Sequence, residues 1–235
     1  MSTSHEPLLS ILIPTLDSRR ELLDGLVGEL ERQAEHQGAS TDVEILLRRD
    51  DGSEPVGAKR NRLLAAASGR FVVFVDDDDR VGEQYVSRIL EAIRSHPAAD
   101  CISLRGEIRF RGRHPRPLIH SVRYHDWRHC AGRYLRPPCH ITPIRRDIAR
   151  EYAFAEVDRA EDMDWSLRIS RAGALRNEVL LDDVLYFYQC RQRFITRWFL
   201  DVSQPLRHLL GLKSVNLLAL HKRAKPRVDS AGPGS

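Results

Sequence analysis

The fold is decided by the stretch Phe71-Val72-Val73-Phe74-Val75-Asp76-Asp77-Asp78-Asp79. Its first five residues are all apolar, which is typical of a strand buried on both faces of a parallel sheet. The four aspartates follow the carboxyl end of that strand, where ligand crevices of open α/β sheets lie.

Adjacent carboxylates repel one another, and each raises the pKa of its neighbours unless a cation neutralises them. One interpretation of this aspartate run is a solvated acidic turn before the next helix. The interpretation that we favour is a divalent-cation site that binds a phosphorylated substrate.

Apolar runs and helical stripes alternate on both sides of this stretch. Strands are predicted at residues 8–14, 43–47 and 71–75, with Pro14 and Thr15 closing the first, and helices at 19–33, 56–67 and 83–95. This βαβαβα order predicts an α/β protein with a Rossmann-like, mostly parallel sheet flanked by helices.

After residue 100 the pattern changes to short strands broken by Gly, Pro and Arg, which predicts a subdomain. Further elements are predicted as helices at 145–152 and 162–172, a strand at 178–188, an amphipathic helix at 194–220 and disorder from 224. We therefore expect a domain at 1–193 (halves 8–100 and 101–193), a helical segment at 194–223 and a disordered tail at 224–235.

Composition is that of a soluble globular protein. The 235 residues are 42% hydrophobic and 30% charged, with four cysteines lacking CxxC spacing. No apolar run approaches the roughly 18 residues of a membrane span, and the N-terminus has no signal-peptide core. We expect a cytoplasmic protein.

Charge is unevenly spread. Residues 105–150 contain twelve arginines against three acids, although the whole chain has a net charge of only +4. Such a basic block is typical of proteins with an anionic substrate. Preference for Arg over Lys throughout the chain is the alternative explanation, but it does not account for the clustering.

Five motifs resemble, in order and spacing, those of family-2 glycosyltransferases of the GT-A fold over roughly residues 8–190. They are Ile11-Leu12-Ile13-Pro14-Thr15, Asp50-Asp51-Gly52-Ser53, Lys59-Arg60-Asn61, the aspartate run and Glu161-Asp162. Three other segments resemble a subgroup encoded by bacteriophages and large viruses. These are residues 119–121, 136–144 and Leu185-Tyr186-Phe187-Tyr188, with Cys139 where that subgroup usually has Asn.

The resemblance implies a nucleotide-sugar donor, UDP-glucose or similar, and Mn²⁺ or Mg²⁺ as cofactor. Oxygen ligands favour these ions over zinc, and alternate residues of an extended segment share a face. The implied donor-binding residues are Pro14, Thr15, Leu16, Asp51, Lys59, Arg60, Asp76 and Asp77, and the implied metal ligands are Asp76 and Asp78.

Inverting sugar transfer needs a base that takes the proton of the attacking hydroxyl. The resemblance implies that Asp162 is this base, with Glu161 and Asp164 positioning it or the acceptor. Alternatively, these acids only stabilise a helix N-terminus, by roughly 0.3 to 1 kcal/mol each. For His140, a third metal ligand, a phosphate contact and a structural role all remain open.

The acceptor is the least determined part of the prediction. The phage-type resemblance and the basic block point to a hydroxymethylated base in DNA, although glycan and protein acceptors remain open. A nucleotidyltransferase would leave Glu161-Asp162 without a role, and a nucleic-acid-binding module would leave the aspartate run unexplained. The sequence names neither the sugar nor the oligomeric state.

Overall fold

The computed structural model describes residues 5–110 and 113–190. Within these ranges the strands are β1 (Leu9–Leu16), β2 (Val43–Asp50), β3 (Phe71–Phe74), β4 (Arg80–Val81), β5 (Cys101–Phe110), β6 (Arg113–His120), β7 (Arg128–Cys130), β8 (Arg133–Arg136), β9 (Ile144–Arg145) and β10 (Glu178–Cys190). The helices are α1 (Arg20–His36), α2 (Val56–Ala66), α3 (Tyr85–Ser95), α4 (Arg146–Arg150) and α5 (Glu161–Arg171), with a 3₁₀ turn at Asp17–Arg19. The predicted helix at 194–220 and the predicted tail lie outside the described residues.

The described strands form one sheet in the order β2-β1-β3-β9-β5-β6-β8-β7, with β10 pairing with β5 and β4. Strand β1 is parallel to both β2 and β3, so the predicted parallel half is confirmed. The α/β class with a mostly parallel sheet flanked by helices is confirmed as well.

Strands β1 and β3 are buried because apolar clusters cover both faces of the sheet. Ile11, Ile13 and Val73 belong to the cluster that includes residues of α1 and α3. Leu12 and Phe74 belong to a second cluster, which includes Trp165 of α5. Alternate side chains of a strand point to opposite faces, so a doubly covered strand is apolar throughout.

Strand β1 continues to Leu16, so the prediction that Pro14 and Thr15 close it is wrong. The backbone N–H of Val75 donates to the carbonyl of Leu12 at 3.1 Å. The nitrogen of Pro14, two residues further, faces the same side, but pairing with β3 has already ended at Leu12. The missing N–H of proline therefore costs no ladder hydrogen bond.

The second half differs most from prediction. Strands β5 and β6 are ten and eight residues long rather than short. Arginines interrupt the apolar pattern of β5, but strands β6, β9 and β10 pair with it and complete its ladders. Helix α4 has only five residues, and β4 was not predicted. No helix in the described part of the chain is long and apolar enough to cross a membrane.

Candidate active site

The four aspartates after β3 differ in exposure. Asp77 and Asp79 are buried, with 3% and 5% of their surface exposed. The side chains of Asp76 and Asp78 are 25% and 23% exposed. The run therefore presents two carboxylates to solvent and directs the other two into the protein.

Asp77 is held by residues at the end of β1 and in the 3₁₀ turn that follows it. Its carboxylate accepts hydrogen bonds from Thr15 Oγ1 at 2.6 Å and from Arg19 Nη1 at 2.6 Å. The same Arg19 nitrogen lies 3.6 Å from Asp78 Oδ2. Arginine thus supplies part of the positive charge that the aspartate run requires.

Asp79 is held by strand β10. Its carboxylate accepts hydrogen bonds from the Tyr186 hydroxyl at 2.7 Å and from the Gln189 backbone N–H at 2.7 Å. Burial, and then the charge of Asp76, raise the pKa of Asp79 to about 8. Two donors therefore hold a carboxylate that its surroundings make difficult to ionise.

Arg60 joins the aspartate run to helix α5. Its Nη2 lies 2.8 Å from Asp76 Oδ1, and its Nε lies 3.2 Å from Glu161 Oε1. The guanidinium is buried, 5.1 Å from the centroid of the Phe74 ring. Burial opposes ionisation of Asp76, but the charges and hydrogen bonds of Arg60 and His140 together outweigh burial, so the pKa of Asp76 is lowered. The carboxylate end of β3 and the start of α5 therefore share one cation.

The neighbours of Arg60 on α2 make two further connections. Lys59 Nζ donates to the Thr15 carbonyl at 3.1 Å and forms an ion pair with Asp50. The Asn61 side chain accepts from the Phe154 N–H at 2.7 Å and donates to the Phe154 carbonyl at 3.0 Å. The motif 59–61 thereby fixes the ends of β1 and β2, the aspartate run and the segment before α5.

His140 lies between the aspartate run and Asp162. Its backbone carbonyl accepts from the N–H of Phe74 at 2.8 Å, which places it beside the end of β3. Its Nε2 is 3.5 Å from Asp76 Oδ2, and its Nδ1 is 3.4 Å from Asp162 Oδ2. Both ring nitrogens are buried without a hydrogen-bond partner. The structure thus brings together three of the predicted site residues.

The residue directly before helix α5 has a left-handed backbone conformation. Ala160, its N-cap, has φ 64°, a conformation that is uncommon for residues other than glycine. The next two residues are Glu161, which is buried on Arg60, and Asp162, whose side chain is 23% exposed. Strain of this kind is often found at functional sites.

Two predicted site residues lie apart from this cluster. Asp51 is exposed in the turn after β2 and accepts from the Ser53 N–H at 3.1 Å. Asp164 is half exposed and pairs with Arg168 at 2.9 Å, one turn along α5. Pro14 and Leu16 belong to the last residues of β1.

Sequence reasoning missed Arg19, Asp50 and Tyr186. No motif marks Arg19, whereas Asp50 is the neighbour of the aspartate that was selected. Tyr186 occurs in a motif that was noticed but given no role. Their partners are 58, 9 and 107 positions away, so the pairings depend on the fold.

The described residues contain no preformed group of three His, Cys, Asp or Glu side chains that could hold a metal ion. The donor types nevertheless fit Mn²⁺ or Mg²⁺, because Asp76 and Asp78 offer partly exposed carboxylate oxygens. His140 adds two buried ring nitrogens that lack hydrogen-bond partners. We therefore retain these three residues as candidate ligands.

The fold and the family comparison define the class. The mostly parallel sheet flanked by helices matches the fold of GT-A glycosyltransferases. The chain belongs to glycosyl transferase family 2, because the model of that family matches residues 24–153. The match does not resolve the narrower phage-type resemblance.

Two curated relatives are the validoxylamine A glucosyltransferases of Streptomyces hygroscopicus subsp. jinggangensis and subsp. limoneus. Each is 31% identical to this chain over 147 residues, a match that covers 52% of this chain. The chain spans only about a third of their length, 33% and 31%.

Solved structures of TarS from S. aureus have a similar fold. The structure in complex with UDP-GlcNAc has a TM-score of 0.54 at 15% identity, covering 79% of this chain and 59% of TarS 1-349. The structure in complex with UDP also has a TM-score of 0.54, covering 77% and 60%. At such low identity the similarity extends to the fold alone.

Proposed function

We propose that this protein transfers a sugar from a UDP-sugar to an acceptor hydroxyl, with inversion and with a divalent cation. One observation carries the proposal: Asp76, His140 and Asp162 form a continuous line of contacts at the end of a central strand. Membership of family 2 supports sugar transfer. The UDP and UDP-GlcNAc complexes of TarS support the choice of nucleotide.

The donor would bind at the ends of β1, β2 and β3. Pro14, Thr15, Leu16 and Asp51 are the candidates for the base and ribose, while Lys59 and Asp77 hold the carbonyl and the hydroxyl of Thr15. Arg60 Nη1 is buried without a hydrogen-bond partner, which suits contact with a donor oxygen. Asp76, Asp78 and His140 would hold Mn²⁺ or Mg²⁺, which when bound neutralises charge on the departing diphosphate.

Asp162 would act as the base. Its carboxylate takes the proton of the acceptor hydroxyl as the oxygen forms a bond to the anomeric carbon. The bond between that carbon and the diphosphate oxygen breaks, and UDP leaves with the electron pair. His140, 3.4 Å from Asp162, is placed to orient the carboxylate. Glu161, buried on Arg60, fixes the start of α5.

We further propose hydroxymethylated DNA as the acceptor. Some arginines of the basic block are engaged by the protein itself, since Arg146 and Arg150 donate to backbone carbonyls around α2. Arg128 and Arg133, however, are exposed on the antiparallel pair β7–β8. The register Cys130↔Arg133 puts both on one face, at the edge of the sheet. Two neighbouring cations on an exposed face suit backbone phosphates.

Calorimetry with UDP and Mn²⁺ tests the proposed function. We expect UDP to bind with Mn²⁺ present and binding to be lost with EDTA, because without a cation the carboxylates of Asp76 and Asp78 would repel the diphosphate. Hydrolysis of nucleotide sugars with Mn²⁺ then identifies the sugar. If no nucleotide sugar is hydrolysed and UDP binds equally with and without metal, the proposal is wrong.

A further inference from the structure

Tyr186 lies beneath the aspartate run, and the proposed sugar transfer gives it no part in the chemistry. The residue is fully buried. Its hydroxyl donates to Asp79 Oδ2 at 2.7 Å and accepts from the Asp76 backbone N–H at 3.3 Å. The Asp79 N–H in turn donates to the Asp76 carbonyl at 3.1 Å, so Asp76–Asp79 is a hydrogen-bonded turn. One hydroxyl therefore contacts the first and last residues of that turn.

The local structure of β10 directs this side chain. Pairing between β10 and β5 shifts register twice, between Leu180 and Val184 and between Val184 and Tyr186. Such bulges bend a strand and reorient the side chains that follow. Gly106 of β5 lies opposite, where a Cβ atom would be 2.7 Å from the Tyr186 carbonyl oxygen. Strand β4, directly after the aspartates, pairs with β10 at Tyr186.

We infer that Tyr186 is a positioning residue for the donor site, an inference that rests on the proposed function. By bonding both ends of the turn, its hydroxyl keeps Asp76 and Asp78 directed outward while Asp77 and Asp79 stay buried. Without the hydroxyl, the Asp76 N–H loses its acceptor and Asp79 loses one of two donors. The ring still fills its place in the core.

The test compares Tyr186→Phe with Tyr85→Phe. Tyr85 is a matched control, because it is also fully buried but its hydroxyl has no hydrogen-bond partner among the described residues. Both variants lose one buried oxygen atom. We expect Tyr186→Phe to weaken Mn²⁺-dependent UDP binding by roughly 10- to 100-fold, as is usual when a residue that orients a metal ligand is lost. Tyr85→Phe should bind UDP as the wild type does.

Steady-state kinetics separate positioning from general loss of structure. We expect the KM for the donor and the Mn²⁺ requirement to rise in Tyr186→Phe, with a smaller change in kcat. Asp79→Asn removes the other partner, and the double variant should be little worse than the more damaged single variant.

The inference would be overturned if Tyr186→Phe and Tyr85→Phe bound UDP with the same affinity, whether that affinity is the wild-type value or is reduced in both. Wild-type protein that shows no Mn²⁺-dependent UDP binding would overturn the proposed function and this inference together. Wild-type binding with an unaffected Tyr186→Phe variant would overturn the inference alone.

Discussion

Asp78 has a partly exposed carboxylate, with the guanidinium of Arg19 3.6 Å away. We predict that Asp78→Ala abolishes turnover and metal-dependent UDP binding while the protein stays folded. Removing one of four adjacent carboxylates relieves like-charge repulsion, so the variant should be at least as stable as the wild type. Thermal melting and calorimetry measure the two effects. Asp24→Ala, on the exposed face of α1, is the control, and near-normal turnover in Asp78→Ala would contradict the metal assignment.

Asp162 is separated from the aspartate run by the imidazole of His140. We predict that Asp162→Asn keeps UDP affinity within a few-fold and lowers kcat by roughly 10² to 10⁴, the usual contribution of a general base. Calorimetry measures the UDP affinity and initial rates give kcat, with Asp24→Asn as the isosteric control. Loss of UDP affinity would instead assign Asp162 to the donor site.

Single residues were predictable where chemistry alone marks them. Four successive aspartates after an apolar strand require an explanation, and Lys59 and Arg60 stand in a recognisable motif. The partner of each side chain was not predictable. Arg60 bonds Glu161 across 101 positions, and Lys59 pairs with Asp50, which was not selected as a site residue. These pairings depend on which strand ends and helices the fold brings together.

Among the elements, β2 is attached to the segment before β3 by the partly buried carboxylate of Glu44. Glu44 accepts hydrogen bonds from Ser10 Oγ at 2.5 Å, the Ser68 N–H at 2.8 Å and Ser68 Oγ at 2.7 Å. Burial raises the pKa of Glu44, but the hydrogen bonds from Ser10 and Ser68 outweigh burial and lower it below its ordinary value.

We predict that Glu44→Gln destabilises the protein by about 1 to 2 kcal/mol at pH 7, since a charged acceptor of three hydrogen bonds is lost. Because the folded pKa is depressed, the wild-type advantage is present above the unfolded pKa and is lost as pH falls through the folded pKa. Urea unfolding at pH 7 and at acid pH measures the difference in free energy of unfolding between the wild type and Glu44→Gln. Glu31→Gln on α1 is the control, and a difference that persists unchanged in acid would contradict the assignment.

Elements were predictable where the pattern is local. The strands and helices of the first half follow from apolar runs and helical stripes, because both faces of β1 and β3 are covered. Strands β5 and β6 were not recognised as long, because arginines interrupt the apolar pattern of β5 and arginines and prolines interrupt that of β6. Their ladders come from pairing with each other and with β8, β9 and β10. The two residues of β4 carry too little pattern to be predicted.

For the whole molecule, the property that bears on the acceptor is the distribution of charge. The aspartate run and the exposed pair Arg128 and Arg133 give the protein an acidic and a basic region. We predict that duplex DNA binds at low salt, and that log affinity falls linearly with log salt, by about 0.9 per neutralised phosphate. Fluorescence anisotropy with a labelled duplex measures the slope.

The double variant Arg128→Gln/Arg133→Gln should reduce that slope by about 0.9 for each phosphate that is no longer neutralised. Arg20→Gln/Arg94→Gln has the same net charge and serves as the control. Transfer of sugar is then compared on hydroxymethylated and plain DNA. No binding at low salt, or transfer only to glycans or proteins, would remove DNA as the acceptor and leave the sugar-transfer proposal intact.

The 107 positions between Asp79 and Tyr186 also have a consequence for biosynthesis. A ribosome releases the aspartate run long before it has made the tyrosine that bonds both ends of the turn. Contacts of such large sequence separation form late, because the intervening loop must close first. A nascent chain therefore carries four clustered negative charges without the hydroxyl that arranges them, and the turn acquires its final shape only when translation has passed residue 186.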